Sequence, residues 1–167
     1  MTSRIAEQAD DNLAAHFSWV HPRTPGMYAW IEPDLVIVDS GLPTDTFNSV
    51  CHARLSDASA EARVDAAIER FRTVGRPFSW WTSPADQPAT LTRILAARGL
   101  GPVESEGAMA LDLDRLPDGE SPAGLAVARI TTVDDLAAFA TICAANWNPP
   151  DQGVLDFYRL GAAALLR

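Results

Sequence analysis

"PFSWWTSP", residues 77–84, places two tryptophans side by side in a short apolar run. Successive side chains of a strand point to opposite faces of its sheet, so Trp80 and Trp81 would cover both faces if this run is a strand. Bulk on both faces predicts helices packed on each side, and therefore an α/β or α+β fold. We expect both indoles to be buried and structural, one beneath each helical layer. A ligand platform in the sheet cleft is the alternative for the same two residues.

The segments around this run alternate between helical and strand patterns. Helices are expected at residues 5–20, 59–74, 88–98 and 131–147 and after Asp151. Strands are expected at residues 27–32, 35–41, 47–55, 77–84, 108–114 and 125–130. The strand at 47–55 has the weakest alternation. Because the Trp-Trp strand lies between two helices in the sequence, we expect it in the middle of the sheet.

Residues 114–124, "DRLPDGESPAG", are polar and rich in proline and glycine. They predict a linker between a first domain, residues 1–113, and a second segment, residues 125–167. The second segment starts with the strand "LAVARI" and continues with two helices, which Thr132 and Asp151 can cap. An inward stripe is expected on the first of these helices, at Leu136, Phe139, Ala140, Cys143 and Trp147.

One strand and two helices bury too little apolar surface to offset their ordering entropy alone. The second segment must therefore pack against another apolar surface. Its strand can join the sheet of the first domain, or the segment can pack against a second copy of the chain. We favour a homodimer or an exchanged arrangement.

Composition and charge limit the classes of partner. The 167 residues carry a net charge of −9, and all 13 basic residues are scattered arginines, which argues against nucleic-acid binding. No run reaches the roughly 18 apolar residues of a membrane span, and the N-terminus lacks a signal-peptide pattern. Cys51 and Cys143 form no Cys-x-x-Cys pair, which favours reduced thiols and a cytoplasmic location.

Isolated residues suggest no catalytic or metal site by themselves. His16, His21 and His52 make no metal-binding pair at helical spacing, so we expect structural or surface roles and no metal. Asp39 and Ser40 follow a predicted strand, but turn chemistry explains Asp-Ser-Gly without a nucleophile elbow.

Four phrases of the chain resemble the GNAT N-acetyltransferase superfamily: "PFSWWTSP", "LAARGL", "EGAMALDLDRLP" and "LAVARITTVDDLAAFATICAANW". Their order resembles tandem-GNAT proteins, in which a degenerate N-terminal half precedes a catalytic C-terminal half. The resemblance covers most of the chain. It implies a mixed, mostly antiparallel sheet with helices on both faces, followed by the strand, helix and helix that begin a second GNAT-like domain.

The resemblance also bears on whether this chain binds the family's cofactor, acetyl-CoA. GNAT proteins hold the pyrophosphate of acetyl-CoA with a loop of the type Arg/Gln-x-x-Gly-x-Gly/Ala before a helix. The equivalent stretch, residues 54–65, contains no glycine, and Asp57 and Glu61 place carboxylates at the helix start. We expect no cofactor binding by this chain alone, whereas the complete family protein would use acetyl-CoA.

In the family, the first two helices of a domain line the acceptor side of the cleft. This implies acceptor contacts for Asn146, Trp147, Asn148 and Tyr158, while the alternative makes Trp147 core and the asparagines helix caps. The expected function is the non-catalytic front part of an N-acetyltransferase that acts on a small-molecule amine. The alternative is a free-standing, non-enzymatic α/β module that binds a small molecule or a partner protein. Catalytic residues are not assigned.

Overall fold

The computed structural model describes residues 2–115, 119 and 122–167. Within these residues the helices are α1 Thr2–Val20, α2 Ala60–Val74, α3 Leu91–Ala96, α4 Val133–Ala144 and α5 Gln152–Leu165. The strands are β1 Tyr28–Ile31, β2 Val36–Asp39, β3 Ser49–Cys51 and β4 Ser79–Trp80. The expected class, α/β with mixed helix and sheet, is confirmed.

The strands form one sheet in the order β1-β2-β3-β4. The β1–β2 and β2–β3 pairs are antiparallel, and the β3–β4 pair is parallel with Val50 opposite Trp80. The sheet is therefore mixed and mostly antiparallel, as expected. The predicted central position of the Trp-Trp strand is wrong, because β4 lies at the edge of the sheet that the described residues form. Nothing in the sequence of β4 itself distinguishes an edge from a centre.

Helices cover both faces of the sheet. On one face, Ala14 and Phe17 of α1 pack against Cys51 and Trp81. On the other face, α2 and α3 form the largest apolar cluster, to which Trp80 adds its side chain. The two tryptophans thus lie beneath different helical layers, as predicted. Both are only half-buried, because an edge strand leaves part of each indole without a neighbour.

Capping residues and a glycine in the sequence determine where several helices begin or end. Gly75 ends α2 in the left-handed conformation, with φ of 64°, which glycine adopts without steric cost. The predicted caps of α4 and α5 are confirmed: the Thr132 side chain accepts a hydrogen bond from the amide of Asp135, and the Asp151 side chain accepts one from Gly153. Helix α3 begins at Leu91, later than the expected start at Pro88.

Four strand predictions need correction. The strand expected at 47–55 is limited to Ser49–Cys51, and the strand expected at 77–84 is limited to Ser79–Trp80. The strands expected at 108–114 and 125–130 do not form. Residues 108–112 and 125–130 are almost entirely exposed, with Met109 96% and Val127 91% exposed, and Leu113–Arg115 is a short 3-10 helix. Alternation shows that a segment can pair, whereas a strand forms only where a neighbouring strand accepts its hydrogen bonds. The predicted linker, residues 114–124, lies partly outside the described residues.

The second segment docks through its last helix and not through a strand. Phe157 of α5 stacks on Phe47 with ring centroids 3.7 Å apart, and both belong to a cluster with Val20 at the end of α1. Gly161 permits this close approach, since a Cβ there would lie 3.1 Å from a methyl of Val20. Helix α4 packs on α5. No described helix has the length and apolar character needed to cross a bilayer.

Candidate functional site

The parallel β3–β4 pair brings the carboxyl ends of two strands to the same edge of the sheet. The loops that follow are joined by backbone hydrogen bonds: the Gln87 amide donates to the Ala53 carbonyl at 3.0 Å, and the Leu55 amide donates to the Gln87 carbonyl at 3.1 Å. Loops beyond the carboxyl ends of parallel strands are common places for ligands in α/β proteins. The titratable side chains around these loops are therefore the first candidates for a site.

Arg54 lies between two buried carboxylates at this position. Its guanidinium donates to Asp10 of α1 at 2.6 Å and to Asp86 at 3.4 Å. The side chains of Asp10 and Asp86 are only 3% and 5% exposed. Two carboxylates and one guanidinium leave one uncompensated negative charge in a buried position. Burying that charge costs free energy unless hydrogen bonds stabilise it.

Backbone amides supply part of that support. Asp86 accepts hydrogen bonds from the amides of Ser83 at 2.8 Å and Ala53 at 3.1 Å. Burial nevertheless raises the pKa of Asp86 to about 6, and the charge of Asp10 adds to the rise. Burial also raises the pKa of the Cys51 thiol to about 12, so this cysteine is not an activated nucleophile.

His52 stands next to this cluster with an unusual backbone. Its φ of 57° is left-handed, which is uncommon for a residue other than glycine. Its Nε2 lies 2.8 Å from the Asp11 carboxylate, while Nδ1 is buried and contacts no hydrogen-bonding group in the described part of the chain. A general base needs a nitrogen that substrate can reach, and a buried Nδ1 does not provide one. The pair fastens α1 to the end of β3.

Sequence reasoning missed this whole arrangement. Asp10 and Arg54 are 44 residues apart, and Arg54 and Asp86 are 32 residues apart. The one local signal is the adjacent acids Asp10 and Asp11, which contact Arg54 and His52 respectively. That signal does not say which partners they meet.

The stretch predicted to lack a phosphate site is the connection from β3 to α2. The amides of Ser59 and Ala60 both donate to the Ser56 carbonyl, at 3.1 and 2.9 Å. Glu61 accepts a hydrogen bond from Arg98 at 3.3 Å, and Asp57 is exposed. Two amides at the start of α2 are thus bonded to the chain itself, beside two carboxylates.

The residues predicted to contact an acceptor lie around the end of α4. Asn146, Trp147 and Asn148 are exposed, and Trp147 is 46% exposed, so its expected place in an inward stripe is wrong. The Asn146 side chain donates to the Cys143 carbonyl at 2.9 Å, which is a helix-end cap. The hydroxyl of Tyr158 lies near the side chain of Cys143, and burial raises the pKa of Tyr158 to about 12. The structure therefore brings Asn146 and Tyr158 to one common neighbour.

The predicted turn at Asp39 and Ser40 anchors a buried polar network. Asp39 accepts from the Gly41 amide at 2.8 Å and pairs with Arg76 at 2.6 Å. Ser40 donates through its amide and hydroxyl to the fully buried Asn48, which donates in turn to two carbonyls. Both polar atoms of the Asn48 side chain are therefore bonded, which assigns a structural role to this network.

Among the described residues, no group of three or more His, Cys, Asp or Glu side chains could hold a metal ion. Comparison with known protein families, curated proteins and solved structures gives no match to this chain.

Proposed function

We propose that this chain is the non-catalytic N-terminal part of a GNAT-family N-acetyltransferase, and that the complete protein transfers an acetyl group from acetyl-CoA to a small-molecule amine. The supporting observation is the connection from β3 to α2, where the family places its pyrophosphate loop. Arg54 aligns with the first residue of the family motif, and Asp57 stands at its first glycine position. Arg54 is held by Asp10 and Asp86, and the helix-start amides bond to Ser56. On this proposal, the loop does not bind the coenzyme.

Acceptor contacts are proposed at Asn146, Trp147, Asn148 and Tyr158. Three of these side chains are exposed, and Asn146 and Tyr158 both contact Cys143, so they lie on one part of the surface. A cytoplasmic location fits the two free cysteines, since reduced thiols persist in a reducing compartment. A homodimer fits the exposed apolar side chains of residues 125–147.

The coding sequence beyond codon 167 tests this proposal. A downstream strand followed by an Arg/Gln-x-x-Gly-x-Gly/Ala loop would support it, because that loop would supply the coenzyme site. A stop codon would favour the second candidate, a free-standing α/β module that binds a small molecule or a partner protein. The observation that favours this second candidate is that Trp80 and Trp81, at the sheet edge, are only half-buried.

A further inference from the structure

A cavity of about 240 Å³ opens beside Asp86, between the end of β4 and the start of α3. At about 30 Å³ per water molecule this is room for roughly eight heavy atoms. Part of its wall is apolar, including Ala89 and Leu91. A small molecule with a short hydrocarbon body fits such a wall.

The polar part of the lining consists of oxygen groups. The lining residues with polar side chains are Thr82, Ser83 and Thr92, which carry hydroxyl groups, and Asp86, which carries a carboxylate. No lysine, arginine or histidine is among the residues that line the cavity. Arg54 contacts Asp86 at 3.4 Å but is not among the lining residues, so the oxygen acceptors of the lining favour a positively charged ligand.

The charge of Asp86 is incompletely compensated. Arg54 approaches Asp10 at 2.6 Å but Asp86 only at 3.4 Å. The amides of Ser83 and Ala53 and this long contact fill about three of the four acceptor positions of a carboxylate. One position remains for a donor from the cavity.

We propose that this cavity binds a small primary amine in its protonated form. The ammonium group contacts Asp86 and the hydroxyl groups of the lining, and the alkyl chain packs against Ala89 and Leu91. A divalent metal ion fits less well, because one carboxylate supplies too few charged oxygens and the apolar wall supplies none. The inference goes beyond the proposed acetyltransferase function and does not depend on it. It concerns binding only, at a place separate from Asn146 and Tyr158.

The test uses n-butylammonium as the probe and n-butanol and butyrate as isosteric controls. Titration at pH 7.5, followed through the backbone amide NMR signals of Ser83 and Thr92, should give a saturable shift with the amine and none with either control. Asp86→Asn should weaken binding at least tenfold. Asp57→Asn, which removes an exposed carboxylate, should leave binding within twofold.

Ala89→Leu fills the cavity without touching a charge and should weaken binding as Asp86→Asn does. This variant decides the question if Asp86→Asn fails to fold. At pH 5 the raised pKa of Asp86 predicts weaker amine binding, with Asp10 and Arg54 as the other charged groups that act on this carboxyl. Equal binding of n-butanol, equal loss in Asp57→Asn, or full binding by Ala89→Leu would each overturn the proposal.

Discussion

The guanidinium of Arg54 binds the carboxylate of Asp10 at 2.6 Å across 44 residues of sequence. This bond fastens α1 to the loop that follows β3, and the contact from Arg54 to Asp86 extends the attachment to the loop that follows β4. Three separate segments thus depend on one arginine. The same contacts hold the guanidinium of Arg54 against two carboxylates.

Arg54→Ala should strongly destabilise the fold, because it leaves two buried carboxylates without a counter-charge. We expect a loss of about 3–5 kcal/mol in the free energy of unfolding, measured by urea denaturation. Arg72→Ala is the matched control, since Arg72 makes an exposed pair with Glu69, and it should leave the free energy of unfolding nearly unchanged. Similar losses of stability in the two variants would show that the buried cluster of Arg54 contributes no more to stability than an exposed ion pair.

The raised pKa of Asp86, about 6, makes stability depend on pH. Between its ordinary value of 3.8 and about 6, the folded chain keeps a proton on Asp86 that the unfolded chain has lost. Stability should therefore fall as pH rises through this window, by about 3 kcal/mol in all. The difference in unfolding free energy between wild type and Asp86→Asn should therefore change with pH by this amount across the same window. A difference that stays constant from pH 4 to 7 would contradict the assignment.

Trp80→Ala and Trp81→Ala should each cost about 2–3 kcal/mol, less than a fully buried aromatic, because both indoles are half-buried. Trp81 packs edge-on against Phe17 with ring centroids 5.5 Å apart, so its loss should also loosen α1. Trp147→Ala is an exposed control that should cost less than about 1 kcal/mol. A Trp80 or Trp81 variant with wild-type stability that lost binding to a ligand would favour the platform interpretation.

Phe157→Ala should release the C-terminal helices, because it removes the ring that stacks on Phe47. Limited proteolysis should then cut within residues 125–167 at least tenfold faster than in wild type. Light scattering coupled to size exclusion reports the oligomeric state of the same samples. Equal proteolysis rates in the two chains would show that α5 is held in place by something other than this contact.

The helices and several of their ends were predictable because their signals are local. Thr132, Asp151 and Gly75 each act within one turn of the helix that they cap or end. The edge position of β4 was not predictable, since it depends on whether residues 108–112 find a partner elsewhere in the chain. The same limit applies to the cluster of Arg54, whose three residues meet only in the folded chain. Periodicity carries no information about such distant pairs.

The central claim is that the first half of this chain lacks a coenzyme site, and calorimetric titration with acetyl-CoA tests it most directly. With the helix-start amides of Ser59 and Ala60 bonded to Ser56, and with Arg54 held by two aspartates, we predict no measurable heat of binding at millimolar coenzyme. A dissociation constant in the low micromolar range, corresponding to about −8 kcal/mol, would contradict the account.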